Sequence, residues 1–126
     1  MIHVQGIDHV ALAVRSVQRS VEWYADVLGL QRMYQQAWGD YPAVMGVGST
    51  AIALFPIEGA AHPRPGRDVV AMRHLAFRLD AQNFAAAQRE LRARGISFDF
   101  QDHQIAHSIY FTDPDGHEIE LTTYDL

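Results

Sequence analysis

Hydrophobic and polar positions change their spacing several times along this chain, and the order of changes occurs twice. Residues 7–14 alternate about His9, which predicts a strand with Val10, Leu12 and Val14 on one face. Ser16 then offers a hydroxyl to an orphan backbone N–H, and Val17, Val21, Tyr24 and Leu28 follow at helical spacing. Gly29 suits the left-handed position that ends a helix. Strands are predicted next over roughly residues 30–37, 41–47 and 50–56.

The second half repeats this order. Residues 71–79 read as a strand, Asp80 as a cap, and 82–94 as a helix with Phe84, Ala87 and Leu91 inward and Gly95 as its stop. Strands follow over 96–101, 108–112 and 117–123. The last two are joined by Asp113-Pro114-Asp115-Gly116, a turn in which proline presets φ and glycine accepts a positive one. His9 and His74 stand 65 residues apart at matched points, so the chain reads as two βαβββ modules. Module one spans about 5–57, a linker rich in glycine and proline 58–70, and module two 71–124. The linker is equally suited to serve as a lid over a site.

Alternation assigns chemistry to one face. With Val10, Leu12 and Val14 packed, the other face of the first strand carries His9, Ala11 and Ala13. With Leu75, Phe77 and Leu79 packed, the fifth offers His74, Ala76 and Arg78. With Ile119 and Leu121 packed, the last offers Glu118, Glu120 and Thr122. If the sheets curve into a cup, His9, His74 and Glu120 line it. Two imidazoles and a carboxylate suit Fe(II), Mn(II), Zn(II) or Ni(II), with positions left for water and substrate. Followed to its final strand, the first module has Ala53 where the second has Glu120, so the site is three-sided.

Composition narrows the function classes. The 126 residues carry a formal charge of −5, which argues against a nucleic-acid surface. The arginines at 89, 92 and 94 lie along one helix and read as a solvated face. No apolar run approaches the ~20 residues of a membrane span, and no basic-then-apolar segment opens the chain, so a cytoplasmic location is expected. There is no cysteine, which excludes disulfides, thiolate ligands and a cysteine nucleophile.

The chain resembles the vicinal oxygen chelate superfamily (glyoxalase, bleomycin-resistance proteins, extradiol dioxygenases). The likeness rests on Ile7-Asp8-His9-Val10-Ala11-Leu12, Trp23-Tyr24, Leu28-Gly29-Leu30, His74-Leu75-Ala76-Phe77 and the stretch from Tyr110 through Asp113-Pro114-Asp115-Gly116 to Glu120-Leu121. It implies an α+β fold of paired βαβββ modules forming a curved, cup-shaped mixed sheet. It further implies a divalent metal on His9, His74 and Glu120, a small-molecule substrate with neighbouring oxygens, and a homodimer without nucleic-acid or membrane partners. Module pairing within one chain or swapped across the dimer are both compatible.

Within that resemblance, the extradiol dioxygenase signature fits best. Here it runs His103, Ile109-Tyr110, Asp113-Pro114, Gly116 and Glu120, departing at Gln101. It implies Fe(II) or Mn(II), with His103 and Tyr110 as catalytic residues hydrogen-bonding the substrate oxygens. Such enzymes also carry an acid/base histidine on the strand matching 49–54. None stands there, and His62 in the linker is the candidate substitute; His107 and His117 are expected to be non-catalytic. Two alternatives stay open: a glyoxalase-type lyase, isomerase or thiol transferase, and a non-catalytic, bleomycin-resistance-like binding protein. Ala53 stands where glyoxalase I has a fourth ligand. Ala11 stands where fosfomycin-resistance enzymes have a polar residue, and no cation follows the last strand. Trp38, Tyr41, Phe55 and the linker are the expected pocket walls.

Overall fold

The computed structural model describes all 126 residues. They divide into two compact units, Met1–His62 and Pro63–Leu126. The first contains β1 (His9–Val14), α1 (Val17–Leu28), β2 (Gln31–Met33), α2 (Gln35–Trp38), β3 (Ala43–Val47) and β4 (Thr50–Pro56). The second contains β5 (Leu75–Arg78), α3 (Ala81–Ala93), β6 (Asp99–Asp102), β7 (His107–Thr112) and β8 (Glu118–Thr123).

Each unit holds one four-stranded mixed sheet with the same connectivity. The orders are β1-β4-β3-β2 and β5-β8-β7-β6, with the outer pair parallel and the remaining pairs antiparallel. The fold is therefore α+β, built from the duplicated βαβββ order that the spacing predicts.

In the first unit, Ser16 Oγ accepts from the Arg19 N–H at 3.2 Å and starts α1. Gly29 ends it at φ 67°, and the Leu30 N–H returns to the Tyr24 carbonyl at 3.1 Å. That positive φ is why glycine stands there. One face of the sheet carries Leu12, Val14, Ala43, Met45, Ile52 and Leu54, all buried, beneath α1 with its buried Tyr24. Each such large side chain contributes roughly 1.5–3 kcal/mol by leaving water. The opposite face presents His9, Ala51, Ala53 and Val44, paired by register as His9 with Ala51 and Ala53 with both Ala11 and Val44.

In the second unit, Asp80 Oδ1 accepts from the Asn83 N–H at 2.8 Å and caps α3. Phe84 and Leu91 are its buried residues, and Phe84 meets the Phe100 ring at 6.4 Å. Ile109, Phe111, Ile119 and Leu121 are buried on the sheet. On β5, Leu75 and Phe77 are only half-buried, so its inner face is less enclosed than that of β1.

The three largest departures from the expected elements are shortenings. The strand over 30–37 stops at Met33, because Tyr34 takes a left-handed φ of 61° and launches the four-residue α2. The strand over 71–79 begins only at Leu75, directly after His74, and that over 96–101 begins at Asp99.

Candidate active site

The register between β7 and β8 sets Tyr110 directly opposite Glu120, and that between β5 and β8 sets Ala76 opposite Glu120 on its other side. Ala76 is small, which leaves room above it for the imidazole of His74. His74 Nε2 lies 2.9 Å from Glu120 Oε2. The Tyr110 hydroxyl donates to Glu120 Oε1 at 2.9 Å, and His103 Nε2 lies 2.9 Å from the same hydroxyl. Four of the five residues singled out from the sequence thus form one unbroken chain, His74–Glu120–Tyr110–His103.

Both carboxylate oxygens of Glu120 are engaged, and the residue is only 9% exposed. Parity alone leaves this carboxylate facing solvent. In the fold, Tyr110 and His74 enclose it, their rings 5.8 Å apart and nearly perpendicular. Burial and the neighbouring Glu120 charge both push the Tyr110 hydroxyl above the ordinary phenol value. It stays protonated through neutral pH and serves as a donor.

The turn that fixes this register is anchored by a residue whose role the sequence signature did not reveal. Asp113 is buried, and its Oδ1 accepts the N–H groups of Asp115 at 2.9 Å and His117 at 2.8 Å. The Asp113 N–H bonds the His117 carbonyl, closing the hairpin into β8. Its short side chain and its place at the head of Asp-Pro-Asp-Gly were the available signal.

His9 opens β1 in the first unit, and its Nδ1 lies 2.8 Å from Asp8 Oδ2. A carboxylate beside Nδ1 favours the tautomer that carries its proton there and leaves Nε2 with a lone pair, the form in which an imidazole binds a metal. Asp8 is a neighbour of His9 that periodicity does not reveal. His74 and Glu120 have the donor chemistry of two neighbouring ligands. Two ligands about 2.1 Å from one ion and at a right angle lie roughly 3 Å apart, and the observed spacing is 2.9 Å. Neither unit by itself gathers three such side chains.

His9 also borders a cleft of about 540 Å³ formed wholly within the first unit. Trp38, Tyr41 and Phe55 line it as expected, together with Tyr34; the linker does not. Linker arginines instead fasten the second unit. Arg64 donates to the carbonyls of Gly116 at 3.2 Å and Met72 at 3.0 Å, and Arg67 lies 3.7 Å from Glu118. His62 is exposed and lines neither this cleft nor the one beside Tyr110. His107 lies 3.5 Å from Asp102 at the strand edge. No helix is long and apolar enough to cross a membrane.

Comparison with known proteins gives the site its family context. The catechol-2,3-dioxygenase of Bacillus subtilis (strain 168) is 30% identical over 117 residues, covering 91% of this chain and 40% of its own. The chain therefore spans less than half the length of that relative. The metallothiol transferase FosB of Staphylococcus epidermidis is 30% identical over 126 residues, covering 98% of this chain and 86% of its own. The crystal structure of a glyoxalase/dioxygenase from Nostoc punctiforme superposes with a TM-score of 0.79 at 25% identity, over 94% of this chain and 90% of that one. The family model of the Glyoxalase/Bleomycin resistance protein/Dioxygenase superfamily matches residues 6–121, and the chain belongs to that superfamily.

Proposed function

We propose that the protein is a divalent-metal-dependent enzyme acting on a small molecule with neighbouring oxygens, and that its chemistry is extradiol-dioxygenase-like. The observation that carries this reading is the hydrogen-bonded chain His103–Tyr110–Glu120–His74. It puts a hydroxyl donor and an imidazole beside a buried carboxylate, which is what orienting a catechol and relaying its proton require. Similarity to a catechol-2,3-dioxygenase supports the same class.

His9, His74 and Glu120 are the side chains that would hold the metal, with Fe(II) or Mn(II) preferred for oxygen chemistry and Zn(II) or Ni(II) compatible with the donor set. When bound, the ion supplies Lewis acidity toward the substrate oxygens. Tyr110 and His103 hydrogen-bond those oxygens, and His103, exposed at one end of the hydrogen-bonded chain, exchanges the proton with solvent. A catechol and O₂ combine into one ring-opened product that keeps both oxygen atoms, so no external reductant is needed.

We read the protein as a homodimer in the cytoplasm, in which the three ligands meet within one chain or between the two chains. Metal uptake that falls with dimer concentration on dilution would assign His9 to one chain and the other two ligands to its partner.

A thiol-transfer reading is favoured by one observation: the chain spans 86% of a metallothiol transferase. Ala11 counts against it. Anaerobic loading with Fe(II), then a catechol panel with oxygen uptake recorded, separates the two. Oxygen consumption with ring opening is expected. No uptake with any catechol, together with thiol consumption on an electrophile panel, would replace the dioxygenase reading with transfer.

A further inference from the structure

We infer that Arg64 is a positioning residue: its guanidinium stands in for a missing rung between the strands of His74 and Glu120 and holds that pair in place. Where it concerns metal, the inference rests on the proposed ligand roles of those two residues.

The two sheets match register for register, since Ala11 faces Ala53 in one and Ala76 faces Glu120 in the other. In the first unit the parallel ladder begins at His9, which faces Ala51. The matching rung in the second, His74 with Glu118, lies outside a ladder that begins at Leu75 with Ile119. His74 therefore stands one residue beyond the start of β5, where a strand frays most readily.

Arg64 closes this end. Its Nη1 donates to the Gly116 carbonyl at 3.2 Å and its Nη2 to the Met72 carbonyl at 3.0 Å. Met72 precedes Leu75 by three residues and Gly116 precedes Ile119 by three, so the fork ties both segments at the same remove from the first rung. His74 is thereby held between a pinned carbonyl two residues before it and the ladder one residue after. A planar guanidinium suits two acceptors at once, and its charge strengthens both bonds. Gly116 is itself fixed, because its N–H bonds the Asp113 carbonyl in the turn. The fork fastens the entry to β5 onto a rigid point.

The linker is shaped for this task. Pro63 and Pro65 flank Arg64 and restrict its backbone, so little chain freedom is lost when the guanidinium docks. Among residues 58–70, Arg64 alone is not exposed. Arg67, further along, keeps its side chain 73% exposed and reaches Glu118 only at 3.7 Å.

The test joins hydrogen–deuterium exchange of the metal-free chain, read over residues 73–78, to Mn(II) affinity measured by chelator competition. Arg64→Ala and Arg64→Lys are compared with the wild-type chain and with Asp80→Ala, which removes the α3 cap beyond the far end of β5. Arg64→Ala is expected to speed exchange at the His74 end about tenfold or more, and to weaken Mn(II) binding about 10–100-fold. Charge alone would act the other way, because removing a cation favours a metal ion nearby. Arg64→Lys keeps the charge without the fork and is expected to follow Arg64→Ala in both readouts. Asp80→Ala is expected to lower Tm while leaving both readouts within about twofold of wild type.

Wild-type exchange in both Arg64 variants overturns the inference, as does unchanged or tighter Mn(II) binding by them. Equal losses in Asp80→Ala also overturn it, since they would make Arg64 a general stabiliser. If the wild-type chain takes up neither Mn(II) nor Fe(II), the ligand reading falls, and exchange at the His74 end alone decides for or against Arg64.

Discussion

Tyr110 and Glu120 stand directly opposite each other on β7 and β8 and are joined by a hydrogen bond of 2.9 Å from hydroxyl to carboxylate. Tyr110→Phe keeps the ring and removes only that donor. Metal content is expected to be unchanged, while kcat on a catechol falls by roughly 10²–10⁴ as for other positioned proton-transfer groups. A variant retaining kcat within about twofold would exclude Tyr110 from the chemistry.

Metal binding isolates the ligands from the rest of the network. His74→Ala and Glu120→Gln are each expected to abolish stoichiometric uptake of Fe(II) or Mn(II), measured by elemental analysis after anaerobic loading. The motive is the 2.9 Å pairing of imidazole and carboxylate. Wild-type stoichiometry in the His74 variant would refute the assignment.

Asp8 touches His9 rather than the reacting atoms, so its effect should appear in affinity. Its carboxylate lies 2.8 Å from His9 Nδ1. Asp8→Asn is expected to weaken metal affinity about 10–100-fold, the usual scale for a carboxylate behind a ligating histidine. Competition against a chromophoric chelator reads this directly, and an unchanged affinity would deny Asp8 a part in metal binding.

Asp113 tests the scaffold. One oxygen of this buried side chain accepts two backbone N–H groups of the turn. Asp113→Ala should cost about 2–3 kcal/mol and lower Tm by roughly 5–10 °C, whereas Asp113→Asn, which keeps an oxygen acceptor, should cost less than half as much. Thermal unfolding followed by circular dichroism decides this; equal losses in both variants would deny the hydrogen bonds their role.

What the sequence made legible follows from which forces are local. Ser16, Gly29 and Asp80 announce helix ends because capping depends on the few residues around them. Period-two alternation separated the packed face of β1 from the face of His9, since a strand cannot rotate its side chains independently of their order. The arm at Tyr34 was illegible: a tyrosine at φ 61° breaks a strand pattern without the glycine or asparagine that usually marks such a conformation. The enclosure of Glu120 was hidden for a different reason. It depends on Tyr110, ten residues away in sequence and opposite only once the hairpin register is set.

The equal registers of the two sheets allow the duplicated copies to be compared position by position. Glu120 lies between Ala76 and Tyr110; its counterpart Ala53 lies between Ala11 and Val44. The second copy keeps an acidic, hydrogen-bonded pair where the first has a methyl and an isopropyl group, and both of those apolar side chains line the cleft. The two copies share one register and differ in the chemistry it carries. On the proposed reading, substitutions in the first copy can reshape the cleft while the hydrogen-bonded Tyr110–Glu120 pair of the second goes unaltered, so the two properties can change independently.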